Sequence, residues 1–254
     1  MAYFKYLPKV YVRNRTIQEG NHPYQLTRNI FRRIKIKDHL LGSLLGFTQY
    51  SIGEGERPDQ LSQRLYGTPN HHWTFFLIND KLKERGWPVS NREILKKAAK
   101  DYPYYAVTTQ TPIGNIFKIG QTITGSGSGT QGTVNHRHVD LGQIVLSNLT
   151  GGTGAFIVGE TISSVNADNV TESAVLTGAS LEYNSAHHFV NGSSETVDIN
   201  PTTGLSYDDT PVALAEVTYI DRLVNQNDDL KAIRVIKPGV MADVIKSFRQ
   251  AISN

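Results

Sequence analysis

Tyr50-Ser51-Ile52-Gly53-Glu54-Gly55-Glu56-Arg57-Pro58-Asp59-Gln60-Leu61-Ser62-Gln63-Arg64-Leu65-Tyr66-Gly67-Thr68-Pro69, running on through Trp73 to Asn79-Asp80, carries the densest structural punctuation in the chain. A short strand at 48–52 enters a Gly-rich turn, and an amphipathic helix follows in which Leu61 and Leu65 share one face. Gly67 supplies a left-handed helix end, and Thr68-Pro69 reads as an N-cap with proline at the first position of a second helix. Trp73, Phe76 and Leu77 then form an i, i+3, i+4 stripe. With Ile52 and Tyr66 these residues make the expected core, in which Leu61 and Leu65 face the Trp73 stripe.

Upstream, residues 1–30 hold few periodic apolar positions and several turn formers, so they read as an extended N-terminal arm. Arg28, Arg32 and Arg33, with Lys35 and Lys37, interleave with Ile30, Phe31, Ile34 and Ile36. Such a run could lie on a phosphate backbone, but a solvated or protein-facing surface is the expectation. A short helix is expected at 38–47. Downstream, 81–86 reads as a polar connection and 91–100 as a third helix with Ile94 and Leu95 inward.

Composition changes at residue 111. From there to 205 two basic residues face seven acidic ones, net −5, which leaves the rest at +8 of the total +3. The same stretch holds 14 of the 22 glycines. The shift marks an inserted domain over 111–208 between a core at 31–110 and a closing segment at 209–254. The insert repeats itself: Phe117-Lys118-Ile119-Gly120-Gln121-Thr122-Ile123-Thr124 is echoed by Phe156-Ile157-Val158-Gly159-Glu160-Thr161-Ile162-Ser163. Strands of this length between turns predict two copies of a small all-β unit, packed as a sandwich or barrel. Residues 215–225 fit strand or helix equally. Leu230 to Ile236 alternates as a strand, and Pro238 opens a helix with Met241, Val244, Ile245, Phe248 and Ile252 on one face. The expected fold class is therefore α+β.

Chemistry is sparse. The chain has no cysteine, which excludes disulfides and thiolate metal sites and fits assembly in a reducing cytoplasm. No apolar run approaches membrane-spanning length, and a net charge of +3 is too mild to argue for nucleic acid. His136 and His138 have a spacing that metal sites use, but no nearby carboxylate falls in a recognised ligand pattern, so neither they nor the pairs His71-His72 and His187-His188 predict a metal. Gly125-Ser126-Gly127-Ser128-Gly129 lacks the following Lys-Ser/Thr of a phosphate cradle and is expected as a flexible hairpin loop. No catalytic pattern is present, and no enzyme, cofactor or metal is expected.

The strand–helix–helix order at 48–80 resembles a LysM module, a βααβ unit that usually binds N-acetylglucosamine polymers. A closer resemblance joins both ends of the chain. Asn29-Ile30-Phe31-Arg32, Tyr50-Ser51-Ile52, Arg57-Pro58-Asp59-Gln60-Leu61, Leu65-Tyr66-Gly67, Trp73 and Asn79-Asp80, together with Asp229 to Ile236, are similar to the baseplate wedge subunit 53 family of T4-like contractile-tailed bacteriophages. That likeness spans 28–90 and 225–252. It implies a structural part of the tail baseplate in the virion, present in multiple copies, whose LysM-like core contacts other wedge and inner-baseplate proteins rather than glycan, membrane or nucleic acid. Arg28, Arg32, Arg33, Tyr50, Glu54 and Arg57 are the interface candidates under that resemblance. A peptidoglycan-binding LysM protein is the alternative.

Overall fold

A computed structural model of the chain describes residues 7–13, 24–29, 46–207 and 213–253. Arg32, Arg33, most of the helix expected at 38–47 and the side chain of Ile252 lie outside the described residues. The first elements are β1 (Lys9–Arg13), β2 (Tyr24–Arg28), β3 (Phe47–Ser51), α1 (Pro58–Tyr66), α2 (Trp73–Ile78), α3 (Asp80–Arg85) and α4 (Asn91–Asp101). Then come β4 (Tyr105–Thr109), β5 (Thr122–Gly125), β6 (Gln131–His138), β7 (Gln143–Thr150), β8 (Thr161–Val165) and β9 (Thr171–Leu181). Four short strands follow: β10 (Ala186–Val190), β11 (Thr196–Val197), β12 (Ile199–Asn200) and β13 (Leu205–Ser206). The chain closes with β14 (Ala215–Thr218), α5 (Tyr219–Lys231), β15 (Ala232–Ile236) and α6 (Met241–Ser253). Helices and strands are mixed, and the chain divides into two compact units, one built from 1–90 with 227–254 and the other from 91–226.

In the first unit β3 pairs antiparallel with β15, Tyr50 opposite Ile233, and the ladder continues through the Ile52 N–H to the Lys231 carbonyl at 2.9 Å. Helix α1 opens on Pro58 and stops at Gly67, whose φ of 68° a side chain would resist. Leu61, Phe75 and Leu82 pack with Ile52, Leu230, Ile233 and Val235 into the main core; Tyr50, Leu65, Tyr66, Phe76 and Trp87 line its margin. Trp73 is buried elsewhere. It stacks at 4.3 Å on Phe248 of α6 and packs with Leu7, beside Leu77 and Ile245. The expected apposition of Trp73 with Leu61 and Leu65 is thus corrected: a six-residue helix covered on two sides presents Phe75 to α1 and Trp73 to α6. Ile236, Met241 and Val244 form a third cluster, so the apolar face of α6 is covered within its own unit. The connection expected at 81–86 is helix α3, because one apolar residue per turn suffices to dock it: Leu82 is 1% exposed.

Parts of the N-terminal arm pair with each other. β1 and β2 form an antiparallel ribbon, Tyr11 opposite Leu26, with the Asn29 N–H donating to the Pro8 carbonyl.

The second unit holds a closed barrel in the order β4-β7-β6-β5-β8-β9. Its core includes Val107, Phe117, Ile123, Ile144, Leu146, Phe156 and Ile162. The two sequence copies sit side by side: Thr124 pairs with Ser163, the same position of the other copy, so β5 and β8 meet across a local twofold. Gly120 and Gly159 share a φ of 89°. Their N–H groups make matching bonds, to Val134 at 2.9 Å and Leu176 at 2.8 Å. β4 closes the barrel between β7 and β9, which carries the unit across the compositional border at 111. In α4, Ile94 and Ala98 are buried four residues apart, while Leu95, about 100° round the helix, is 46% exposed and not inward as expected. Residues 215–225 prove to be strand then helix.

Candidate functional site

The turn between β3 and α1 forms a shallow groove lined by Tyr50, Ser51, Gly53, Glu54, Gly55, Glu56, Gln60 and Arg64. Glu56 organises it. One carboxylate oxygen accepts from the Tyr50 hydroxyl at 3.0 Å and the Gly53 N–H at 3.1 Å, and the other meets Arg64 at 2.5 Å. Arg64 in turn lies 5.4 Å from the centre of the Tyr50 ring. The Glu56 carbonyl accepts from the Trp87 indole at 2.6 Å. The groove therefore fills its own centre with an ion pair whose acid side chain is only 13% exposed.

Of the interface candidates from the sequence, Tyr50, Glu54 and Arg57 belong to this strand and turn. Tyr50 is half-buried within the network. Glu54 is exposed and stands 3.8 Å from Lys231. Arg57 is exposed and makes a two-pronged pair with Asp59, both contacts 3.1 Å. Arg28 is remote in sequence and donates to the Leu7 carbonyl at 2.9 Å at the foot of the β1–β2 ribbon. Glu56 and Arg64 were legible only as generic charges; the signal available was their eight-residue spacing across a turn and one helix.

Two motif residues reach far along the chain. The Asn79 amide donates to the Phe75 and Arg234 carbonyls at 2.8 and 2.9 Å, and its oxygen accepts from the Arg234 N–H at 2.9 Å. It mimics a strand neighbour for β15. The Tyr66 hydroxyl donates to the Ile236 carbonyl at 2.9 Å, and burial pushes its pKa up to about 12. Asn79 and Tyr66 thus serve to seat a strand more than 150 residues away.

The histidines of the second unit converge. The His136 and His138 rings meet edge to face at 5.1 Å, and His136 Nε2 stands 3.6 Å from buried Glu182 Oε1. A carboxylate distant in sequence is therefore at hand. His138 Nε2 is 3.2 Å from the Tyr219 hydroxyl, and His187 packs edgewise on the same ring. Burial lowers the pKa of His138 and of His187. Among the described residues no group of three or more potential ligands could hold a metal ion.

The loop at 125–129 is pinned, not a free hairpin turn. Glu160, from the second copy, accepts from the Gly127 and Ser128 N–H groups at 2.9 and 2.7 Å, the Ser128 hydroxyl at 2.9 Å and the Ile157 N–H at 2.8 Å. A buried carboxylate occupies the place an anion would take.

Residues 2–112 match the family model described as base plate wedge protein 53. The match takes in the β1–β2 ribbon, the groove and Asn79, and reaches into the second unit as far as β4; it does not extend to 225–252. No curated protein matches the chain. The matched part, under half of the chain, is similar to a bacteriophage base plate wedge protein. Among the described residues no helix is long and apolar enough to cross a membrane.

Proposed function

We propose that the first unit is a LysM-like adaptor that clamps neighbouring wedge and inner-baseplate proteins around the hub, in several copies, with residues 91–226 as an inserted β-rich domain. The order β3-α1-α2-β15, with its two strands antiparallel, supports the LysM-like reading. The observation that carries the choice between protein and glycan is the state of the groove. A glycan site needs backbone donors open to the ligand, whereas here Glu56 takes the Gly53 N–H, and Tyr50 and Arg64 converge on the same carboxylate. Displacing that network would strip a half-buried charge of its partners, which costs more than a neutral sugar hydroxyl returns. At the exposed margin Glu54 and Arg57, paired with Lys231 and Asp59, present charge that a protein neighbour of complementary charge can meet.

The test is a pull-down on insoluble peptidoglycan with soluble chitooligomer as competitor. The adaptor reading expects the protein to stay in the supernatant. Retention that the chitooligomer abolishes would overturn it in favour of the glycan-binding alternative.

A further inference from the structure

The β1–β2 ribbon is an anomaly of burial. Directly opposed residues of an antiparallel pair point to the same face, so Lys9 and Arg28, Tyr11 and Leu26, and Arg13 and Tyr24 form three rows on one side. Tyr11 is 69% exposed, Tyr24 58% and Leu26 45%. Both strands contain cations and no acid. A two-stranded ribbon on its own is marginally stable in water, and an exposed apolar row of this kind ordinarily marks an interaction site. The ribbon is tethered at its foot, where Leu7 is 1% exposed in the Trp73–Phe248 cluster and its carbonyl accepts from Arg28. It is presented from the core without being covered by it.

We propose that this face docks an acidic surface of another baseplate protein: an apolar strip received by Tyr11 and Leu26, flanked by carboxylates that meet Lys9 and Arg13. The two cations lie four residues apart on one strand, so the carboxylates they select stand roughly 13 Å apart. A second copy of the ribbon is a poor occupant, because antiparallel pairing of β1 with itself sets Lys9 against Arg13, like charge on like. Nucleic acid is a poor occupant too: so few cations release few counterions, and the branched side chain of Leu26 in the central row offers no stacking surface. The inference rests on the adaptor reading for the kind of partner and on the ribbon alone for the surface.

The experiment places a photo-crosslinking benzophenone amino acid at Tyr11 of the full chain, in phage particles, and identifies the crosslinked peptide by mass spectrometry. The expected product joins Tyr11 to a different tail protein, in a segment bearing at least two carboxylates. Lys9→Glu with Arg13→Glu is expected to lower incorporation into tails about tenfold with Tm unchanged. Replacing the partner's two acids by lysine should restore it, and Gln25→Glu on the opposite face should have no effect. Crosslinks to nucleic acid, to this same protein, to a segment without acids or to nothing overturn the proposal, as does normal incorporation of the charge-reversed variant. A chain found in tails with no such crosslink leaves the adaptor reading standing; a chain absent from tails sinks both.

Discussion

Asn79 replaces a missing strand neighbour with one side chain, and that makes it the most consequential polar residue of the first unit. Asn79→Ala leaves the Arg234 N–H and carbonyl without their partner beside α2, so denaturant unfolding should show a loss of about 2–3 kcal/mol. Glu54→Ala and Arg57→Ala, at exposed positions, should stay within about 0.5 kcal/mol while reducing incorporation into baseplates. Trp73→Ala should cost about 3–5 kcal/mol, and a double-mutant cycle should couple Trp73 to Phe248 by about 0.5–1.5 kcal/mol but leave Trp73 and Leu61 near additive. Coupling to Leu61 instead would return the tryptophan to the α1 face. The helical stripe marked Trp73 as apolar and inward, but periodicity names a face and not its occupant, which here lies 175 residues on. The histidines add a pH dependence. His138 and His187 are held below the ordinary histidine range by burial, His138 also by His136 and His187 also by Arg222, while Asp140 opposes the shift at His138. The unfolded chain therefore binds protons that the folded one declines. Stability should be fully present above about pH 6.5 and fall as pH drops below it. A paired His138→Asn, His187→Asn variant should flatten that slope in thermal unfolding followed from pH 7.5 to 5.

The barrel shows what a repeat can and cannot disclose. The echo of Phe117–Thr124 in Phe156–Ser163 made two β units legible, and the pairing of Thr124 with Ser163 is the physical form of that echo. Closure was not legible, because β4 lies before the first copy and outside the Gly-rich, acidic stretch that composition could detect. Nor was Glu160 legible as a lock, since the corresponding residue of the first copy is Gln121, which reaches Val165 and Glu172 instead. Both oxygens of Glu160 meet only donors. Glu160→Gln must therefore turn an amide NH2 toward an N–H or hydroxyl, and should cost about 1–3 kcal/mol with exposure of the 126–128 amides to hydrogen exchange. Burial alone would raise the pKa of this acid, but the bonds from Ser128, Ile157 and Gly127 bring it below the usual glutamate range. Its contribution is thus present at neutral pH and lost as acid protonates it in the folded state. Unaltered exchange in Glu160→Gln would mean that the loop is held by its backbone alone. Helix α3 escaped notice for a simpler reason: a six-residue helix with a single inward leucine has no period to read.

The division of the chain leaves a testable seam. The Asn227 side chain accepts from the Val89 N–H at 2.8 Å and donates to the Val89 carbonyl at 3.1 Å, so the two segments of the first unit meet where the second departs. Replacing 91–226 by a short Gly/Ser linker should leave a soluble unit with one cooperative unfolding transition, because closing a short loop between ends already in contact costs little entropy. A molten or aggregated product would show that the second unit is needed to fold the first. The groove, the ribbon and the seated β15 all belong to the part that would remain, and the central claim concerns what surrounds them in the particle. A cryo-electron-microscopy reconstruction of the phage tail tests it most directly. The adaptor account predicts the first unit between baseplate proteins, with Glu54, Arg57 and the margin of the Glu56 groove against a protein neighbour. A chain whose groove faces solvent at the tail surface, open to the cell wall, would contradict it.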